Sequence, residues 1–393
     1  MKLPPRGLLL LLVVLCVPVA CGRAGTPVGR AGTPVGESPA ADVTAGATAD
    51  GFDRRAMLEN IVNELVLPAH AALATRLAEL ETATRAFVAA PGPETLAAAQ
   101  DAWLAANLTR MAVLPYRMAP VDDSLLHNRL DNRPPRTPFI DDEILAGTMA
   151  ITPEYIESIG SSSVGLGAME YLLFDPAGGD PAVLARFTTD EGAARRGELL
   201  TALAAAMPPK AEALRRIWAA DGDDYARAFI EADMDGGDLQ GSFNMLANQM
   251  IGDVEEIVAS RLGKPLGKRT NGEIRPDLVE AAYSGASLPR IIATLEAERA
   301  TFTGGDGPGL DDYLDFLGAM YGEEPLSRVI VAQFDAALAA LRAIDEPLET
   351  AVRNDPAGVE AAYEEVRALL ALLKADMVNH LGLTLTFNDN DGD

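Results

Sequence analysis

The 393-residue chain has two cysteines, Cys16 and Cys21, both near its start. Beyond them no disulfide and no cysteine-type zinc site can form, so the fold must stand on packing. Three histidines, His70, His127 and His380, are the whole imidazole supply. Basic residues are outnumbered, with 32 Lys and Arg against 58 Asp and Glu, for a net charge of −26. A nucleic-acid binder needs a basic footprint, and this composition excludes one; the acidity serves solubility and raises the local cation concentration. Aromatics are only 5% of the chain, and no stretch alternates apolar and polar residues convincingly as a half-buried strand would. HExxH, GxSxG, P-loop and GxGxxG patterns are all missing, so the zincin, hydrolase and nucleotide-binding templates find no support.

What is present is alanine, leucine and a targeting segment. Lys2 and Arg6 precede the apolar run GLLLLLVVLCVPVAC, too short to span a bilayer and flanked as a secretory signal is. Small residues before Cys21 resemble a bacterial lipobox, with Pro18 where leucine is usual. Residues 1–20 are therefore expected to be a lipoprotein signal peptide, with Cys21 lipidated and the chain anchored to a membrane through it. Cys16 is the poorer acceptor because bulky Leu15 precedes it. Gly22 is not the aspartate of inner-membrane retention, which points to the periplasmic face of the outer membrane. Residues 22–36 repeat GRAGTPV twice and have nothing to bury, so 21–52 reads as a flexible tether.

Structure is expected from about Asp53. Met57, Ile61, Leu65, Leu73, Leu77 and Leu80 follow helical spacing over 54–90, and Pro91-Gly92-Pro93 ends that run. A second helix spans 94–114 and a long polar loop fills 121–140. Short helices follow at 141–147, 152–159 and 164–174. Residues 191–219 and 223–262 are helical with interruptions at Pro208-Pro209 and Asp221-Gly222, and 263–275 is a loop. A helix at 287–301 precedes two long final helices, 325–353 and 356–381. The expectation is an all-α protein of two packed helical bundles, 53–225 and 226–393. Residues 71–91 and 336–356 echo each other faintly, as alanine-rich helices readily do.

The tail FNDNDGD looks like calcium chemistry, but Phe387 occupies a ligand position and the chain stops before an EF-hand loop could close. His380 follows Asp376 by four residues, within reach on one helix face. The stretch VGLGAMEYLLF (164–174) carries a single carboxylate, Glu170, three residues after Gly167. Its local pattern resembles the imelysin family, also called iron-regulated protein A-like, in which Gly-x-His-x-x-Glu precedes Tyr-Leu-Leu and an aromatic. Here Gly165, Glu170 and Tyr171 match, and Gly167 stands in the histidine slot. Trp103 to Pro120, RLGKPLG (261–267), EAAYSGASL (280–288), the TGG turn at 303–305 and the tail are similar to further landmarks in family order.

That resemblance implies a two-bundle helical envelope protein with the motif near the bundle interface. It also implies ties to iron acquisition, with iron or another divalent cation as cofactor, Glu170 as a remaining metal ligand, and envelope iron-uptake proteins as partners. Some family members are classed as metallopeptidases. Beyond Gly167, two more positions depart from the family: Asn107 replaces an arginine and Leu114 a glutamate. A lone buried carboxylate is costly, so Glu170 is expected to be protonated, paired with an arginine such as Arg117, or bound to a cation. The leading expectation is a non-catalytic binding or accessory lipoprotein; a metallopeptidase and an interaction scaffold are the alternatives.

Overall fold

The computed structural model describes residues 51–231 and 241–385. The signal peptide, Cys21, nearly all of the tether and the tail FNDNDGD lie outside these residues. The first helix begins at Asp53, whose carboxylate accepts from Ala56 N–H and caps α1 (Arg54–Asn60). The path continues through a π-helical stretch, Ile61–Val66, into α2 (Leu67–Ala89), with Pro68 tolerated near that helix start. Pro93 opens α3 (Pro93–Met111).

The segment expected to be a loop at 121–140 contains a short helix, α4 (Leu126–Leu130), which turns His127 and Leu130 inward. The motif helix is α5 (Gly165–Leu173). The long α6 (Ala193–Trp218) runs straight through Pro208 and Pro209, which were expected to interrupt it. Leu199, Leu203, Met207, Ala211, Leu214 and Trp218 are all buried and keep one apolar stripe across both prolines. Packing of that stripe outweighs the backbone hydrogen bonds that proline removes.

In the second half, α7 (Ser242–Glu256) and α8 (Ser287–Thr303) are followed by α9 (Leu326–Arg342), α10 (Leu348–Asn354) and α11 (Pro356–Ala371). The helix expected over 325–353 is thus two helices, parted before Leu348 because Pro347 disfavours a helical residue ahead of it. The only strand pairing among the described residues is a two-residue ribbon, Met320–Tyr321 against Glu324–Pro325, turning at Gly322 with φ +63°.

Helix α2 packs on α3 and α6, α5 sits against α3 and α6, and α9 packs on α8 and α11. Helices α3 and α8 meet, so the two sets share one apolar core, and the described residues belong to one compact unit. The loop and helix ends along this α3–α8 seam carry the site.

Candidate functional site

Helix α5 is almost wholly buried, from Gly165 through Glu170. Gly165 begins it with φ +71°, and a Cβ there would lie 2.3 Å from the Leu130 carbonyl oxygen. Only glycine allows that approach, which lets Gly165 form a β-bridge with Asp131. Trp103 in α3 donates its indole N–H to the Leu166 carbonyl at 2.9 Å. The motif helix is thereby fixed between α3 and the chain segment that follows α4.

That segment supplies the partner of Glu170. The Arg133 Nη1 group donates to Glu170 Oε2, and Oε1 accepts from Ser284 N–H at 2.9 Å and from Ser284 Oγ at 2.7 Å. The arginine is Arg133; Arg117 instead lies 3.6 Å from exposed Asp122. Arg133 also donates to the Glu280 carbonyl at 3.1 Å and lies over the Trp103 ring.

A Cβ on Gly167 would meet Asn132 O at 3.4 Å, Arg133 Cγ at 3.6 Å and Asp131 Oδ1 at 3.6 Å. These are ordinary contacts. The space an imidazole would enter is therefore bordered by the Arg133 stem and the Asp131 carboxylate.

Around this pair lies a buried charge network. Asp131 is shared by three guanidinium groups: Arg133 Nε at 2.8 Å, Arg290 Nη2 at 3.0 Å and Arg110 Nη1 at 3.6 Å. Arg290 reaches Glu280 at 2.9 Å and donates to the Asn107 amide oxygen. Arg261 lies 3.6 Å from Glu280 and donates to Thr294 Oγ1 at 2.9 Å. Burial by itself would raise the Asp131 and Glu280 pKa values. Arg133, Arg290 and Arg110 outweigh it at Asp131 and hold that group far below the usual range. Arg261 and Arg290 do the same at Glu280, bringing it to about 2. Burial lowers Arg110 to about 10, since Asp131 supports it while Arg290, Arg117 and Arg133 oppose it.

Tyr171 leaves this network and donates to Asp141 Oδ2 at 2.5 Å, with its ring edge-on to Tyr283. Burial, then the Asp141 hydrogen bond, raises its pKa. His70 is buried in the core, where its Nδ1 meets the Val66 carbonyl at 2.8 Å; desolvation lowers its pKa to about 4. His127 is lowered as well, by desolvation first and then by Arg110, His70 and Arg117. Both are neutral imidazoles at neutral pH, and His380 is exposed in the last described helix, Val378–Leu381.

Residues 66–375 match the family described as Imelysin, Peptidase_M75. The chain belongs to the imelysin family. Its fold is similar to that of an imelysin-like protein from Psychrobacter arcticum, with 20% identity, a TM-score of 0.68, and 85% of this chain and 96% of that one covered. A protein described as an iron-regulated protein A precursor from Parabacteroides distasonis is similar at 20% identity and a TM-score of 0.69, covering 87% of this chain and 98% of that one. No curated protein matches.

In this imelysin the motif site does not fit a metal ion. Both Glu170 oxygens are engaged by Arg133 and Ser284, and position 167 has no side chain. Among the described residues no three His, Cys, Asp or Glu side chains form a group able to hold a metal. The residues that sequence reading missed are Asp131, Arg133, Glu280, Ser284 and Arg290. Glu280 and Ser284 both lie within EAAYSGASL, a segment noticed only as a family landmark. Arg133 sits in the NRPPR run of a segment read as loop.

Proposed function

We propose that this imelysin is a lipid-anchored, non-catalytic binding component of the bacterial envelope that serves iron handling. The observation that carries the non-catalytic reading is the pairing of Glu170 with Arg133 and Ser284. A carboxylate acting as metal ligand or general base needs an oxygen open to the ion or the proton, and here a guanidinium and a serine occupy those directions. The envelope anchor is supported by the lipobox-like sequence ending at Cys21. Among the described residues no helix is long and apolar enough to cross a membrane, so a covalent lipid would be the natural tie. The iron role is supported by family membership and by the name of the similar Parabacteroides distasonis protein.

The test is calorimetric titration of the chain from residue 22 with Fe(II), Fe(III), Zn(II) and Ca(II), beside Glu170→Gln. No Glu170-dependent uptake tighter than about 10 µM is expected for any of the four. Micromolar binding lost in the variant, or chelator-sensitive cleavage of an unfolded protein substrate, would overturn the reading. In cells, Cys21→Ala should release the protein from the membrane fraction, and iron starvation should raise its abundance.

A further inference from the structure

A cavity of about 1220 Å³ opens along the Asp131–Pro134 segment, with Arg110, Arg117, Arg133, Arg261 and Arg290 in its wall. Their neutralisation is uneven. Arg133 has Glu170, Arg290 has Glu280 at 2.9 Å and Arg261 has the same carboxylate at 3.6 Å. Arg110 has no carboxylate of its own. It shares Asp131 with two closer arginines, and its other contact is a long 3.4 Å bond to the His127 carbonyl. Its Nε has no partner although the residue is only 5% exposed. Arg117, facing the same cavity, has a buried Nε without a hydrogen bond and only solvent-exposed Asp122 as counter-charge. Arg133 Nη2 also lacks a partner.

A buried guanidinium left short of acceptors costs more than a neutral donor does, and an anion supplies what is missing. The carboxylates in this wall are Asp131 and Glu280, held by the arginines, Asp122 beside Arg117, Asp277 paired with Arg275, Glu255 paired with Lys374, Asp123, Glu256 and the buried Asp253. Asp253 accepts from Gln249 at 3.0 Å and faces Glu298, so its attention is directed away from the arginines. The cavity is large enough for an organic ligand.

We infer that this cavity binds a small anion, a carboxylate or phosphate group seated between Arg110 and Arg117 with Arg133 at its side. The inference deepens the binding role proposed above and rests on it. With an overall charge of −26 the protein does not attract anions from a distance, so recognition is by local guanidinium geometry: two forks can each offer paired N–H donors to one carboxylate or phosphate.

The test uses the chain from residue 22 at low ionic strength, with citrate and inorganic phosphate in separate calorimetric and thermal-unfolding titrations and sodium chloride as the ionic-strength control. At least one of the two is expected to bind with a Kd below about 1 mM and to raise the unfolding temperature, where chloride does not. Arg110→Gln and Arg117→Gln are each expected to weaken binding by about tenfold or more. Arg117 is partly exposed, so its variant keeps the test open if Arg110→Gln fails to fold. Response to citrate alone marks a carboxylate ligand, and to phosphate alone a phosphate ligand. No response to either anion, or binding unchanged by Arg117→Gln, overturns the inference. The metal titration above separates the two readings: Glu170-dependent metal uptake overturns the proposed function whatever the anions do, whereas silence from metals and anions together overturns this inference alone.

Discussion

Two glutamates of this protein are both fully buried, and they solve burial in opposite ways. Glu170, in the motif helix α5, meets an arginine and two donors of Ser284. Glu298, in α8, meets no cation: its carboxyl faces that of Asp253. Burial first, and the aspartate second, push the Glu298 pKa well above the usual carboxylate range. The same side chain at the same depth is thus an ion-pair member in one place and a proton-holding acid in the other. Burial sets the cost, and the neighbour decides how it is met.

The largest expected effect comes from breaking the first solution. Arg133→Ala removes the cation of Glu170 and one of three from Asp131, leaving buried carboxylates short of charge. A loss of about 3–5 kcal/mol in urea unfolding is expected. Glu170→Gln should cost less, because the amide oxygen still accepts from Ser284. The double variant should cost less than the two single losses added together, since the pair acts as a unit. Additivity within experimental error would mean the two side chains are not coupled.

Gly165→Ala is expected to follow, with a loss of about 2 kcal/mol or more, from left-handed strain and the clash with the Leu130 carbonyl. Its effect should appear in unfolding and also in weaker burial of Arg133, because Gly165 holds Asp131 and its neighbours against the motif helix. Faster hydrogen exchange at the 131–136 amides would report that loosening.

The second solution carries its own pH signature. Glu298 has a folded pKa above its unfolded value, so folding takes up a proton. Its stabilising contribution is full below about 4.5 and is lost as pH rises toward the folded value. The groups facing it are Asp253 and Tyr116, whose hydroxyl bonds Thr301 at 3.0 Å. Asp131 and Glu280 behave in reverse: their depressed values contribute stability above about pH 4 that is lost as pH falls. Glu298→Gln should therefore stabilise the protein at pH 8, with the gain shrinking toward pH 5. A pH-independent difference would remove the proton from the account of Glu298.

How much of this was legible beforehand divides along the same line. The helices were, because apolar spacing is local: the continuous path from α1 through α2, and α3, α5 and α8, fall within a few residues of where the sequence places them. The continuous α6 was not, because proline preference is local while the stripe from Leu199 to Trp218 that overrides it needs partners from α2 and α5. Glu170 stood out as a lone carboxylate in an apolar run. Its partners did not, since Arg133 is 37 residues away and Ser284 is 114, and only the packed fold brings them together. Arginine was the right chemistry for that carboxylate and Arg117 the wrong residue, because Arg117 follows α3 into a turn whose outward side leaves it beside Asp122. Glu298 raised no signal at all: a glutamate in an amphipathic helix looks solvated until Asp253 is placed against it.

The smallest expected effect bears on why the motif histidine is a glycine. If Arg133 requires the glycine, any side chain at 167 should press on the Arg133 stem; if the site merely tolerates it, a methyl should fit. The distances of 3.4–3.6 Å favour tolerance. Position 167 lies inside α5, where glycine costs about 0.5–1 kcal/mol against alanine. Gly167→Ala is thus expected to stabilise the protein by about 0.5–1 kcal/mol, with the urea m-value unchanged. A destabilisation would mean that the Arg133–Asp131 edge cannot give, and that glycine is a condition of the arginine pairing. A stabilisation would mean that Arg133 and Ser284 meet the needs of Glu170 without calling on position 167.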